Sequence, residues 1–237
     1  MRRIIRLSSV SLEKSSGNDR FSLTIPDFDF SLGQNIAVTG PSGSGKSTFL
    51  ELLGLLSAPV HSGQFLYSPH EGDDLDIIGL WRHRALARLA HVRARSIGYV
   101  LQTDGLLPYL TIEANINLCA RLGGTIDPGF IRNMIDALGL KSLRSRYPAA
   151  LSVGQRQRAA IARALANKPS LIIADEPTAS LDRGNALNVI KILLELSKTM
   201  PAALICATHD VNLVDRFGFE TFSCQQEGTS RSCLVPA

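Results

Sequence analysis

Residues 40 to 48 read Gly-Pro-Ser-Gly-Ser-Gly-Lys-Ser-Thr, the spacing GxxxxGK[ST] running from Gly40 to Lys46 and Ser47. The run before it, Gln34 to Thr39, is apolar and β-branched, and the run after it, Thr48 to Leu53, is helix-forming. The loop therefore joins a strand to a helix. Glycines at 40, 43 and 45 let the backbone curl, so that successive N–H groups and the positive end of the helix converge on one anion. Lys46 adds a point charge suited to a polyphosphate, and the Ser47 hydroxyl can complete the shell of an octahedral Mg²⁺. The nucleotide-contacting set read from this loop is Gly40, Pro41, Ser42, Gly43, Ser44, Gly45, Lys46, Ser47 and Thr48.

The flanking sequence predicts an α/β fold, a phosphate-loop NTPase core with a mostly parallel sheet. Leu171–Asp175 and Ala203–Ala207 are almost continuously apolar, as strands covered on both faces of a parallel sheet are. Residues 1–36 alternate short β-like runs (Ile4 to Val10, Phe21 to Ile25, Phe28 to Leu32) with turn residues Ser15, Gly17, Asn18 and Gly33, which predicts an antiparallel flap. Residues 103–166 carry helical patterns with stops at Gly123-Gly124, Asp127-Pro128, Gly139 and Tyr147-Pro148. The expected organisation is one domain: the flap, a core of 37–102 and 167–237, and a helical subdomain of 103–166. A helix is expected over about 184–199. Another is expected from Leu80 to Arg95, amphipathic and basic, with Arg82, Arg84, Arg88, Arg93 and Arg95 on what reads as a solvated face, a membrane-surface or nucleic-acid role being the alternatives.

Composition removes several classes. With 237 residues and 45% hydrophobic content the chain can bury a substantial core, so disorder is excluded. Four cysteines without CxxC spacing suit a reducing cytoplasm. The longest apolar segment, Phe49 to Val60, is broken by Glu51, Gly54, Ser57 and Pro59, short of the ~20 apolar residues a membrane crossing needs. If the protein works at a membrane, another chain spans it. Asn167-Lys168-Pro169-Ser170 lacks the aspartate with which GTPases read guanine. The basic residues have no accompanying array of stacking aromatics, so no nucleic acid partner is expected.

Two further segments bear on the loop. Leu171 to Glu176 is an apolar strand ending in two carboxylates, of which Asp175 is placed to hold Mg²⁺ through its water shell. Adjacent strand residues point in opposite directions, so Glu176 is free to act on an attacking water. Leu151-Ser-Val-Gly-Gln155, followed by Arg156-Gln-Arg158 and a helix, is the second segment. At this point the sequence resembles the ATP-binding-cassette ATPases, whose hallmark is LSGGQ. The order Gly40–Thr48, Gln102, Ser152–Gln155, Asp175-Glu176, Ser180-Leu-Asp182 and His209 matches that family along essentially the whole chain. The stretches QTDGLLPYLTIEANINL and ADEPTASLD look like the branch of lipoprotein-releasing, macrolide-exporting and glycolipid-exporting systems.

The resemblance implies ATP and Mg²⁺ as ligands and a head-to-tail homodimer in which each ATP lies between Lys46 of one copy and Ser152, Gly154 and Gln155 of the other. Asp182 would lie across that seam. Glu176, His209 and Gln102 would serve catalysis, with Ser47, Gln102 and Asp175 at the metal. A separate integral-membrane permease would receive the motion through the segment Thr103 to Ile116, placing the chain on the cytoplasmic face of the membrane. A soluble cassette acting on DNA or ribosomes, or one that signals to a membrane partner without transporting anything, are the alternatives. Val153 stands at the first glycine of the hallmark, where a β-branched side chain disfavours φ > 0 and can crowd a phosphate. Leu12 to Asp19 contains no aromatic residue to stack on adenine, which leaves Phe21 as the nearest one.

Overall fold

The computed structural model describes residues 2–16, 19–124, 126–179, 181–228 and 230–237. Its strands are β1 (Arg3–Ser16), β2 (Asp19–Ser31), β3 (Asn35–Thr39), β4 (His61–Tyr67), β5 (Leu75–Asp76), β6 (Ile97–Val100), β7 (Leu171–Asp175), β8 (Ala203–Ala207), β9 (Glu220–Gln226) and β10 (Arg231–Pro236). Its helices are α1 (Lys46–Leu53), α2 (Ile77–Arg82), α3 (Leu86–Ser96), α4 (Ile112–Gly123), α5 (Pro128–Ala137), α6 (Val153–Leu165), α7 (Arg183–Thr199) and α8 (Val211–Phe217). The strands form one sheet in the order β5-β4-β1-β2-β10-β9-β3-β8-β7-β6. The run β9-β3-β8-β7-β6 is parallel, whereas β5, β4, β1 and β2 pair antiparallel.

The sheet separates two apolar layers, and the alternation of side chains along a strand shows how. Leu171 and Ile173 of β7 pack with β1, β2, α1, α2 and α3, while Ile172 and Ala174 of the same strand pack with α4, α5, α6 and α7. Strands buried on both faces must be apolar, as β8 and β7 up to Ala174 are. The helices begin where short polar side chains can accept a backbone N–H. Thr111 caps α4, Asp127 caps α5 with Pro128 as the first helical residue, and Asp182 and Asp210 cap α7 and α8.

Three expectations change. The antiparallel strands are not confined to residues 1–36, because β4 and β5 continue them. The separate runs Phe21 to Ile25 and Phe28 to Leu32 are one strand, β2, despite Pro26. Ser9 on β1 adopts φ 52° between the pairs Ser8↔Asp27 and Val10↔Ile25, a local irregularity opposite the residue that has no N–H to donate. Gly17 and Asn18, expected in the turn, lie outside the described residues. Finally, the basic helix expected from Leu80 to Arg95 is two helices. Arg84 has φ 51° and the Ala85 N–H bonds back to the Leu80 carbonyl, which closes α2 with a left-handed residue before α3 begins.

Candidate active site

The parallel strands end together at one edge, and the polar residues of the site follow them directly. β3 runs into the glycine loop, β7 into Asp175 and Glu176, β8 into Thr208 and His209, and β6 into Leu101 and Gln102. In an open α/β sheet this carboxyl edge is where ligands bind.

The loop is held in a form that only glycine takes easily. Gly40, Gly43 and Gly45 have φ of 139°, 75° and 101°. A Cβ on Gly40 would lie 2.7 Å from Ser44 Oγ and 2.8 Å from the Cys224 carbonyl oxygen. The first intrahelical bond runs from the Phe49 N–H to the Gly45 carbonyl, which leaves the N–H groups of Lys46, Ser47 and Thr48 without helical partners. The Ser44 hydroxyl is fully buried and has no hydrogen-bond partner among the described residues. Free donors, a helix N-terminus and an orphaned hydroxyl in one cradle fit a phosphate chain.

Lys46 is buried, and its Nζ donates to the carbonyls of Gly40 and Pro41 at 2.9 Å each and lies 3.9 Å from Glu176 Oε1. A cation held so close to the loop's own carbonyls is poised to turn to phosphate oxygens, which carry more charge than amide oxygens. Ser47 Oγ donates to Asp175 Oδ1 at 3.1 Å. These two hard oxygens form the partial ligand set that Mg²⁺ uses while keeping waters and phosphate oxygens for the rest of its octahedron. Burial, assisted by the neighbouring Glu176 and Glu51 charges, holds the Asp175 carboxyl above the usual aspartate range, against the pull of the Ser47 hydrogen bond and of Lys46. A cation placed there would favour its ionised form.

Glu176 is the meeting point. Gln102 Nε2 donates to its Oε2 at 3.3 Å, His209 Nδ1 lies 3.8 Å from the same oxygen, and Lys46 faces the other oxygen. Its backbone N–H is held by the Ala207 carbonyl at 3.0 Å and its φ is 45°, a left-handed conformation that a non-glycine residue adopts at some cost. The local backbone thus turns Glu176 away from Asp175 and toward Gln102 and His209, dividing the two adjacent acids between two neighbourhoods. His209 is largely exposed and Gln102 is exposed.

The other predicted residues lie apart from this cluster. Ser152 caps α6, accepting from the Gln155 N–H at 3.3 Å while the Gln155 side chain accepts from the Ser152 N–H at 2.9 Å. Val153 is the first helical residue and is not among the left-handed positions, so the strain expected of a β-branched residue there is absent. Val153 is 43% exposed. A Cβ on Gly154 would come no nearer than 3.7 Å to Asn185, the residue whose N–H is capped by Asp182. Ser152, Gly154, Gln155 and Asp182 thus form a second surface, and no hydrogen bond joins it to the glycine loop among the described residues. Ser180 lies outside the described residues.

Several positioning residues carry little sequence signal of their own. Asp104, two residues after Gln102, accepts from Arg156 Nε at 2.9 Å, and Arg163 donates to the carbonyls of Gly105 and Asp104. Asn115 is fully buried and binds the backbone of Leu107, Leu110 and Thr111. The segment after Gln102 is thereby fastened to α4 and to α6. A lone asparagine among Ile112, Ile116 and Ala120 on the buried face of α4 was the visible hint. Leu106 of this segment is a core residue, whereas Tyr109 is 70% exposed. Phe21 lies against the glycine loop, its ring 2.8 Å from the place a Gly45 Cβ would occupy.

The model of the ABC transporter family matches residues 23–179. The chain is 37% identical over 218 residues to a lipoprotein-releasing system ATP-binding protein LolD of Idiomarina loihiensis, covering 90% of this chain and 91% of that protein. It is 38% identical to the LolD of Legionella pneumophila strain Paris, with 90% and 92% covered. Among solved structures, the dimeric ATP-binding cassette MJ0796 bound to ADP and Pi superposes with a TM-score of 0.76 at 29% identity, covering 93% of this chain and 94% of that one. With the glycine loop, the paired acids and the capped α6 placed as described, the chain belongs to the ABC transporter family as one of its ATP-binding subunits.

Proposed function

We propose that this chain hydrolyses ATP as one half of a head-to-tail homodimer and energises a separate transmembrane permease in envelope-directed export. The observation that carries the reading is the separation of two half-sites. Lys46, Ser47, Gln102, Asp175, Glu176 and His209 converge at the strand ends, while Ser152, Gly154, Gln155 and Asp182 present a capped helix terminus elsewhere. A second copy brings one against the other. The likeness to lipoprotein-releasing relatives and to a dimeric cassette supports the export role and the dimer.

In this reading the loop N–H groups, Ser44 and Lys46 hold the phosphates of ATP, and Phe21 packs beside the base. Ser47 and Asp175, together with Gln102, would hold Mg²⁺, which would supply charge neutralisation for the phosphates. Glu176 accepts a proton from, or polarises, the attacking water, and His209 and Gln102 fix the position of that water. The strained turn at Glu176 sets its carboxylate in place before substrate arrives, so little reorganisation remains for the reaction itself. The permease seat is the groove of about 400 Å³ walled by Ala90, Ala94, Tyr99, Leu107, Leu118 and Leu122. Leu122 is 64% exposed, and no described helix is long and apolar enough to cross a membrane.

Steady-state hydrolysis tests the assignment. Glu176→Gln should retain ATP binding while turnover falls by about 10²-fold or more, the scale of a lost general base. Hydrolysis at the parental rate would remove Glu176 from that role.

A further inference from the structure

The chain's positive charge is a local property. Between Ile77 and Thr103 there are five arginines and no acidic residue, whereas the rest of the chain holds 20 Lys and Arg against 21 Asp and Glu. The overall +4 therefore comes from this one segment. Arg82, Arg84, Arg88 and Arg95 are exposed and none forms a salt bridge among the described residues; Arg93 instead donates to the Leu55 carbonyl.

Apart from Arg93, which lines the groove, α3 sorts this charge to one side. Leu89, Val92 and Ser96 are its buried face. The outward surface divides again at helical spacing. Leu86, 58% exposed, Ala87, Ala90 and Ala94 form an apolar band that runs into the groove beside Leu118 and Leu122, and Arg88 and Arg95, with His91 beside them, form a cationic band on the opposite flank. A helix merely solvated on its outer face has no need of an apolar band there. An apolar band flanked by arginines is the pattern of a helix lying at a lipid interface.

We propose that the outward face of α3, with Arg82 and Arg84 before it, is a docking surface for an anionic lipid bilayer. The arginines meet headgroup phosphates, and the exposed Leu86 and Ala87 face the acyl boundary, while Ala90 and Ala94 stay with the groove. Choosing a bilayer over other polyanions rests on the permease reading, since a groove that receives a membrane protein puts the adjoining flank next to that protein's membrane. The charge complementarity itself needs no permease, because the surface belongs to this chain alone.

The test uses the purified full chain and vesicles without permease. Sedimentation with phosphatidylcholine vesicles containing roughly a third phosphatidylglycerol should show binding, pure phosphatidylcholine should show little, and about 0.5 M salt should abolish it, because the Debye length then falls to a few Å. R88Q/R95Q should bind about 25-fold more weakly, at roughly five-fold per arginine near an anionic surface. R82Q/R84Q should lose a comparable amount, and K191Q/K198Q, which removes two exposed charges from α7, should stay within about two-fold of the parent. All of these side chains lie on the surface away from the nucleotide cluster, so ATP hydrolysis measured on the same preparations should be unchanged. Retained hydrolysis with no vesicle binding would overturn this proposal while leaving the ATPase reading intact. Equal loss in K191Q/K198Q, or tighter binding to a random DNA duplex than to the anionic vesicles at equal salt, would overturn it as well.

Discussion

Asn115→Ala is a severe test of how the segment after Gln102 is positioned. Asn115 Oδ1 accepts from the Leu107 N–H at 2.8 Å, and Nδ2 faces the carbonyls of Leu107 at 3.1 Å, Leu110 at 3.1 Å and Thr111 at 3.0 Å. Thr111 keeps a partner after truncation, because its carbonyl also accepts from the backbone N–H of residue 115 at 2.9 Å. The Leu107 N–H and the Leu110 carbonyl lose theirs. A buried polar group left unsatisfied costs about 1–3 kcal/mol, so two such groups set the expected loss at about 2–4 kcal/mol after some relief by water at the partly buried rim. Against a total of about 5–15 kcal/mol that is a large fraction of the stability of a domain. Urea denaturation should show the midpoint falling with the slope unchanged, and the Leu107 amide should lose its hydrogen-exchange protection. A loss under about 0.5 kcal/mol, with Leu107 still protected, would show that the segment is held by other contacts.

Two further outcomes follow from the site. Asp175 is raised by burial, so its ionised form costs the folded state. Between the ordinary aspartate pKa and the raised one, the folded state binds more protons than the unfolded, and stability falls as pH rises through that window. Without nucleotide, Asp175→Asn should therefore melt above the parent at neutral pH, with the advantage shrinking as pH falls through the window, while Mg²⁺-dependent ATP binding is lost; a lower melting temperature at neutral pH would contradict this. Gly45→Ala should cost about 1–3 kcal/mol through its φ of 101° and weaken ATP binding, and Phe21→Ala should recover only the part due to the 2.8 Å contact with the ring. Full recovery of stability in the double variant would remove the backbone argument.

What was legible in the sequence follows a simple physical division. The glycine loop, Asp175-Glu176 and the cap at Ser152 are fixed by local chemistry, namely backbone freedom, strand-end carboxylates and a side chain reaching three residues ahead. The apolar runs Leu171 to Ala174 and Ala203 to Ala207 announce a sheet covered on both sides. The break at Arg84 was not legible, because a left-handed arginine replaces the glycine that normally marks a helix end. Merging the two runs into β2 depends on β1 yielding at Ser9, a cross-strand event that a single strand does not record. The links from Asp104 to Arg156 and from Asn115 to the backbone before it are tertiary, and Arg156 in particular reads as one basic residue among several. Val153 shows the converse: the pattern raised a backbone conflict, but as the first residue of α6 it has none.

The claim that the glycine loop is half of a composite site is tested most directly by sedimentation velocity of the Glu176→Gln protein with and without Mg²⁺-ATP. The account predicts a monomer without nucleotide and a dimer with it, and a return to monomer when Ser152 is replaced by arginine, which sets a bulky cation where α6 offers its capped N-terminus. A monomer under both conditions, or a dimer indifferent to both ATP and the change at Ser152, would contradict it.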